Sequence, residues 1–103
     1  MGTETTLTAR FIERLNALGR GAKFINKEAG RNRGHPDIIG CVRGQTYIIE
    51  NKTVGYGKKR RGHALQLKEL ERWKDGGAKV FMPQTEKERE EIIKTVRREL
   101  ARP

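Results

Sequence analysis

The chain has 103 residues, 34% of them hydrophobic and 35% charged, with 23 Lys and Arg against 13 Asp and Glu and a formal net charge of +10. That length fits one small domain over residues 1–103, and the basic excess favours a polyanionic partner, nucleic acid above all, over a membrane surface, for which no basic amphipathic helix with bulky aromatic anchors is present. A single cysteine excludes an internal disulfide, and the lack of an apolar leader or a bilayer-length apolar run leads to the expectation of a soluble, cytoplasmic protein.

In chain order, TETTLTARFIERLNALGRG predicts an amphipathic helix, with Leu7, Phe11, Leu15 and Leu18 at helical spacing and Gly19 as its C-terminal cap. AKFIN (Ala22 to Asn26) predicts a short strand, and KEAGRNRGHP, punctuated by Gly and Pro, a loop. DIIGCV and QTYIIENK are two β-rich runs around Arg43-Gly44, which predicts a hairpin. GYGKKRRG (Gly55 to Gly62) reads as a flexible basic loop. HALQLKELERWKDGG reads as a helix ending at Asp75-Gly76-Gly77, with His63, Leu67, Leu70 and Trp73 on one face and Gln66 at its edge. KVFM predicts a strand stopped by Pro83. The last segment opens on a capping box, Thr85 with Glu88, and carries the apolar stripe Ile92, Ile93, Val96 and Leu100. Cys41 reads as a small apolar strand residue. The order α-β-β-β-α-β-α implies an α/β fold, a mixed sheet flanked by helices.

The hairpin carries charges among its aliphatic residues. With a two-residue turn at Arg43-Gly44, Val42 pairs with Gln45, and the same register places Asp37 opposite Glu50. Directly opposed side chains share a face with Cβ atoms roughly 4.5–5.5 Å apart, and Lys52 lies two residues further along that face. Opposed like charges between apolar neighbours are costly. Lys52 could offset one of them; a divalent cation such as Mg²⁺ or Mn²⁺ could offset both. A purely structural salt bridge is the competing account.

Pro36-Asp37, then Glu50-Asn51-Lys52, resembles the PD-(D/E)XK nuclease signature. With GHPDIIGCVRGQTYIIENK followed by Gln66 on the next helix, the chain more specifically resembles the VRR-NUC branch, whose pattern is roughly G-x-P-D, E-x-K and a glutamine. The match runs from about Thr3 to Met82, with the last helix as an addition. The resemblance implies a restriction-endonuclease-like core, α-β-β-β-α-β plus a C-terminal helix, of the free-standing type found in phages and prophages. It further implies a metal-dependent nuclease, in some members a homodimer acting on four-way DNA junctions. Carried over, Asp37 and Glu50 would be ligands to Mg²⁺ or Mn²⁺, with the Asn51 backbone carbonyl as a further ligand. Lys52 would orient or activate the attacking water or stabilise the phosphate, and Gln66 would support Lys52 or the metal shell. From the first helix Glu4 is the better candidate to join them and Glu13 the poorer. His63 stands near a position where the family often has Ser or Thr, and the basic loop is longer than in compact members.

Lys58, Lys59, Arg60 and Arg61, with Lys27, Arg31 and Arg33 before the site, are expected to meet the DNA backbone. The expectation is thus a Mg²⁺- or Mn²⁺-dependent DNA endonuclease, with branched DNA such as a Holliday junction preferred by resemblance. The alternatives are a non-catalytic basic nucleic-acid-binding module with a structural Asp/Glu/Lys ion cluster, and an assembly subunit of a mobile-element complex.

Overall fold

The computed structural model describes residues 3–26, 36–51 and 63–103, with side chains described for 7–26, 36–51 and 67–103. The elements are α1 (Thr3–Asn16), β1 (Ala22–Asn26), β2 (Ile38–Val42), β3 (Gln45–Ile49), α2 (His63–Asp75), β4 (Lys79–Phe81) and α3 (Glu86–Ala101), in the expected order. The strands form one sheet in the order β1-β2-β3-β4. The first two pairings are antiparallel and β3 pairs with β4 in parallel, so the sheet is mixed.

Strand alternation gives the sheet two unlike faces. Ala22, Phe24, Ile38, Val42, Tyr47 and Ile49 point to one side and are buried against Phe11 and Leu15 of α1 and Ile92, Ile93 and Val96 of α3. Phe24 meets Tyr47 edge to face at 6.0 Å between ring centroids, and Tyr47 stacks on Phe81 at 5.7 Å. Gly40, the register partner of Phe24, leaves the room this needs, because a Cβ there would overlap the Phe24 ring. The third helix therefore contributes to the main core.

The other face carries Ile48 and is covered in part by α2, whose Leu70 is also buried. Cover is incomplete: Leu67 of α2 is 43% exposed and Ile25 of β1 is 49% exposed, and Cys41, a strand residue of β2 as expected, is exposed too. Helical spacing put Leu67 on the same stripe as Leu70, but of the two only Leu70 is buried.

Local signals explain most element ends. Gly77 has φ +104°, and the N–H groups of Gly77 and Ala78 donate to the carbonyls of Lys74 and Trp73, closing α2 with paired reverse bonds. The Thr85–Glu88 capping box opens α3 as expected. The first helix differs. It ends at Asn16 and Gly19 has no positive φ, so Gly19 is not its cap. Instead Asn16 donates its amide to the Phe24 carbonyl and accepts the Phe24 N–H, at 3.1 and 2.7 Å, satisfying outward-facing backbone groups of the edge strand. Gly19 and Gly21 sit close under Leu100; a Cβ at Gly21 would lie 2.9 Å from a Leu100 methyl.

Candidate active site

The β2–β3 turn sets the site. Arg43 (φ +49°) and Gly44 (φ +89°) both occupy positive φ, the pattern of a two-residue hairpin turn whose twist matches the flanking strands. Val42 pairs with Gln45 and Ile38 with Ile49, the expected register. One step further, Asp37 stands opposite Glu50, just beyond the ends of the strands. The ladder is not continued there by backbone alone: the Glu50 carboxylate (Oε1) accepts the Asp37 backbone N–H at 3.2 Å. On its other side, the Glu50 backbone N–H donates to the Phe81 carbonyl of β4 at 2.9 Å.

Glu50 is 3% exposed. A carboxylate so enclosed is costly unless hydrogen-bonded or ion-paired, and the Asp37 amide supplies one of its partners. By alternation Asp37 and Glu50 share the face of Ile48, the face covered by α2, the helix that carries Gln66. Asn51 has the opposite parity and turns to the α1/α3 side. Its side chain is 2% exposed and engaged at both ends: Nδ2 donates to Thr8 Oγ1 of α1 at 3.1 Å, and Oδ1 accepts from Arg89 Nη1 of α3 at 3.0 Å. Arg89, itself buried, also donates from Nε to Glu86 at 3.1 Å.

Of the residues singled out in the sequence, Asp37, Glu50 and Asn51 are brought together, and Glu13 lies exposed on α1. Lys52, Lys27, Arg31, Arg33, Lys58, Lys59, Arg60 and Arg61 lie outside the described residues, as do the side chains of Glu4 and Gln66. Among the described residues no group of three or more His, Cys, Asp and Glu side chains is placed to hold a metal. The Asp37–Glu50 pair fits a hard cation such as Mg²⁺, which takes one or two protein carboxylates and fills its shell with other oxygens. Thr8 and Arg89 were missed as neighbours of the site. A threonine in a helix and an arginine in a charge-rich helix carry no local signal of burial.

No protein-family model and no curated protein matches the sequence. A solved structure described as a VRR_NUC domain superimposes with a TM-score of 0.68 at 27% identity, covering 91% of this chain and 97% of its own. This likeness supports a VRR-NUC assignment for the chain. Its mixed four-stranded sheet and three helices have the restriction-endonuclease-like fold of that domain. A likeness over 91% of the chain runs past Met82 into α3, so the likeness takes in the helix that Arg89 occupies. No helix among the described residues is long and apolar enough to cross a membrane.

Proposed function

We propose that this VRR-NUC domain is a DNA endonuclease that hydrolyses phosphodiester bonds with Mg²⁺ or Mn²⁺, selective for branched DNA of the Holliday-junction kind. The observation that carries the reading is the juxtaposition of Asp37 with the buried Glu50 at the end of the hairpin. Asp37, Glu50 and the Asn51 carbonyl would hold the cation, which when bound would stabilise charge on the phosphate and acidify a water. Lys52, on the strand parity of Glu50, would face the same phosphate and either stabilise its added charge or orient the attacking water. Gln66 of α2 would support Lys52 or the cation's shell. Glu4 is favoured over Glu13 as a further contributor, because Glu13 is exposed on α1.

The net charge of +10 supports a polyanionic substrate. Lys58 to Arg61 and Lys27, Arg31 and Arg33 would grip its backbone, an affinity that weakens steeply with salt. A 103-residue chain offers little surface to a four-way junction, so a two-fold dimer with two sites is the assembly proposed. Expression in a cytoplasm, from a phage or prophage, accords with the free-standing type. A structural ion cluster in a DNA-binding module would also hydrogen-bond Glu50, and cleavage separates the two. Labelled linear, flap, splayed and four-way DNAs are incubated with each metal. Metal-dependent cutting, abolished by EDTA, is expected, with the four-way junction cut fastest. Binding without cutting of any substrate would favour the module.

A further inference from the structure

We infer that Asn51 and Arg89 are positioning residues that fix how Glu50 presents its carboxylate beside Asp37; the inference rests on the nuclease reading of that pair. Pairing of β2 with β3 stops at Ile38–Ile49, and that of β3 with β4 at Ile49–Phe81. Beyond that point the orientation of the chain depends on the Glu50 N–H to Phe81 and on what holds residue 51. Alternation turns Glu50 to one side and Asn51 to the other. Whatever locks the Asn51 side chain therefore sets the rotation at which Glu50 emerges.

Two helices supply the lock. Thr8 of α1 and Arg89 of α3 take the two ends of one amide, at 3.1 and 3.0 Å. An amide held at both ends has one orientation, where a single bond would leave it free to swing. The Arg89 guanidinium is planar, with Nη1 on Asn51 and Nε on Glu86, so its own tilt is set as well. Stability alone is a poor reason for this arrangement. The adjoining core is made of Ile49, Ile93 and Phe11, and buried polar pairs are often no more stabilising than apolar residues of similar volume. What a polar pair provides and a leucine does not is direction.

The test uses the full chain and three variants: Arg89→Met, Arg89→Lys and the apolar pair Asn51→Leu/Arg89→Met. The last removes the amide together with the guanidinium that holds it, so no amide is stranded, and it is expected to stay folded. Thermal melts, Mn²⁺ binding to DNA-free protein by calorimetry, DNA affinity in Ca²⁺ and single-turnover cleavage of the best-cut DNA in Mn²⁺ are measured for each. In the Met and double variants, Mn²⁺ affinity and cleavage rate are expected to fall about 10–100-fold, the usual loss when a residue orienting a metal ligand is removed, while DNA affinity stays within about twofold. Lysine at 89 keeps the charge without the fork and is expected to recover only part of the loss. If the folded double variant binds Mn²⁺ and cleaves like the unmodified protein, the two residues merely pack, and the inference is overturned. If the unmodified protein itself neither binds Mn²⁺ nor cuts, the nuclease reading fails and takes this one with it. Should Arg89→Met unfold, the double variant decides.

Discussion

The Glu50 carboxylate accepts the backbone N–H of Asp37 at 3.2 Å, closing the open end of the hairpin with a side chain where the strand ladder stops. This bond joins the two acidic residues of the proposed site without requiring either to be neutral, since the donor is an amide. It also makes the fold indifferent to one useful substitution. Glutamine at 50 retains an oxygen that can accept the Asp37 N–H, so Glu50→Gln is expected to melt within a few degrees of the unmodified protein while cleavage falls on the order of 10²–10³-fold through lost charge. Lys52→Ala is expected to lose a similar factor with DNA binding retained. Unchanged cleavage in Glu50→Gln would return the buried carboxylate to a structural role.

At Gly44 the backbone has φ +89° and a Cβ would meet nothing within 4 Å. Only backbone strain opposes a side chain there. Gly44→Ala is expected to cost about 1–2 kcal/mol, the left-handed penalty of a non-glycine residue, measured by urea unfolding. The register should survive, because the Ile38–Ile49 and Gly40–Tyr47 pairs bury the same face and a one-residue slip would expose it.

Gly40 is the opposite case: no special φ, but no space. Gly40→Ala drives a methyl into the Phe24 ring and is expected to destabilise by about 1–3 kcal/mol through overpacking. Combining it with Phe24→Leu makes room, so the double variant should lose less than the sum of the single losses. Simple additivity in urea melts would mean that the two residues do not compete for the same volume.

Tyr47 has a buried hydroxyl without a hydrogen-bond partner among the described residues. Burial, with a smaller contribution from the charge of Glu99, raises its pKa above the ordinary 10.0. The folded state thus holds the phenol proton more tightly than the unfolded chain. The associated stability is complete below pH 10 and is lost as pH rises through the ordinary tyrosine range towards the raised value. Tyr47→Phe is expected to be neutral or slightly stabilising near pH 7, within about 1 kcal/mol, and to flatten the decline of stability above pH 10. A parallel decline in both proteins would assign that limb to other groups.

Replacing the basic run Lys58, Lys59, Arg60 and Arg61 by alanine is expected to weaken DNA binding equally across sequences. It should also reduce the slope of log affinity against log salt by up to about 0.9 for each phosphate contact removed. An unchanged slope would move the DNA path away from these four residues.

What the sequence by itself determined is the part of this protein governed by parity and short spacing. The two-residue turn at Arg43-Gly44, with the strict period of two on either side, is enough to set Asp37 opposite Glu50, and the capping box and the Gly76-Gly77 stop are equally local. Only the tertiary structure decided how the two faces are used. Leu67 and Cys41 stay exposed because α2 covers the sheet incompletely, and Gly19 answers to Leu100 of α3 rather than to the helix it follows. The same holds for Asn51, the middle residue of the Glu50–Lys52 segment. Its partners Thr8 and Arg89 lie 43 and 38 residues away along the chain, on two different helices. Spacing along a chain tells which side of a strand a residue faces; which side chains wait on that side is set by the packing of helices whose own apolar stripes fit more than one arrangement.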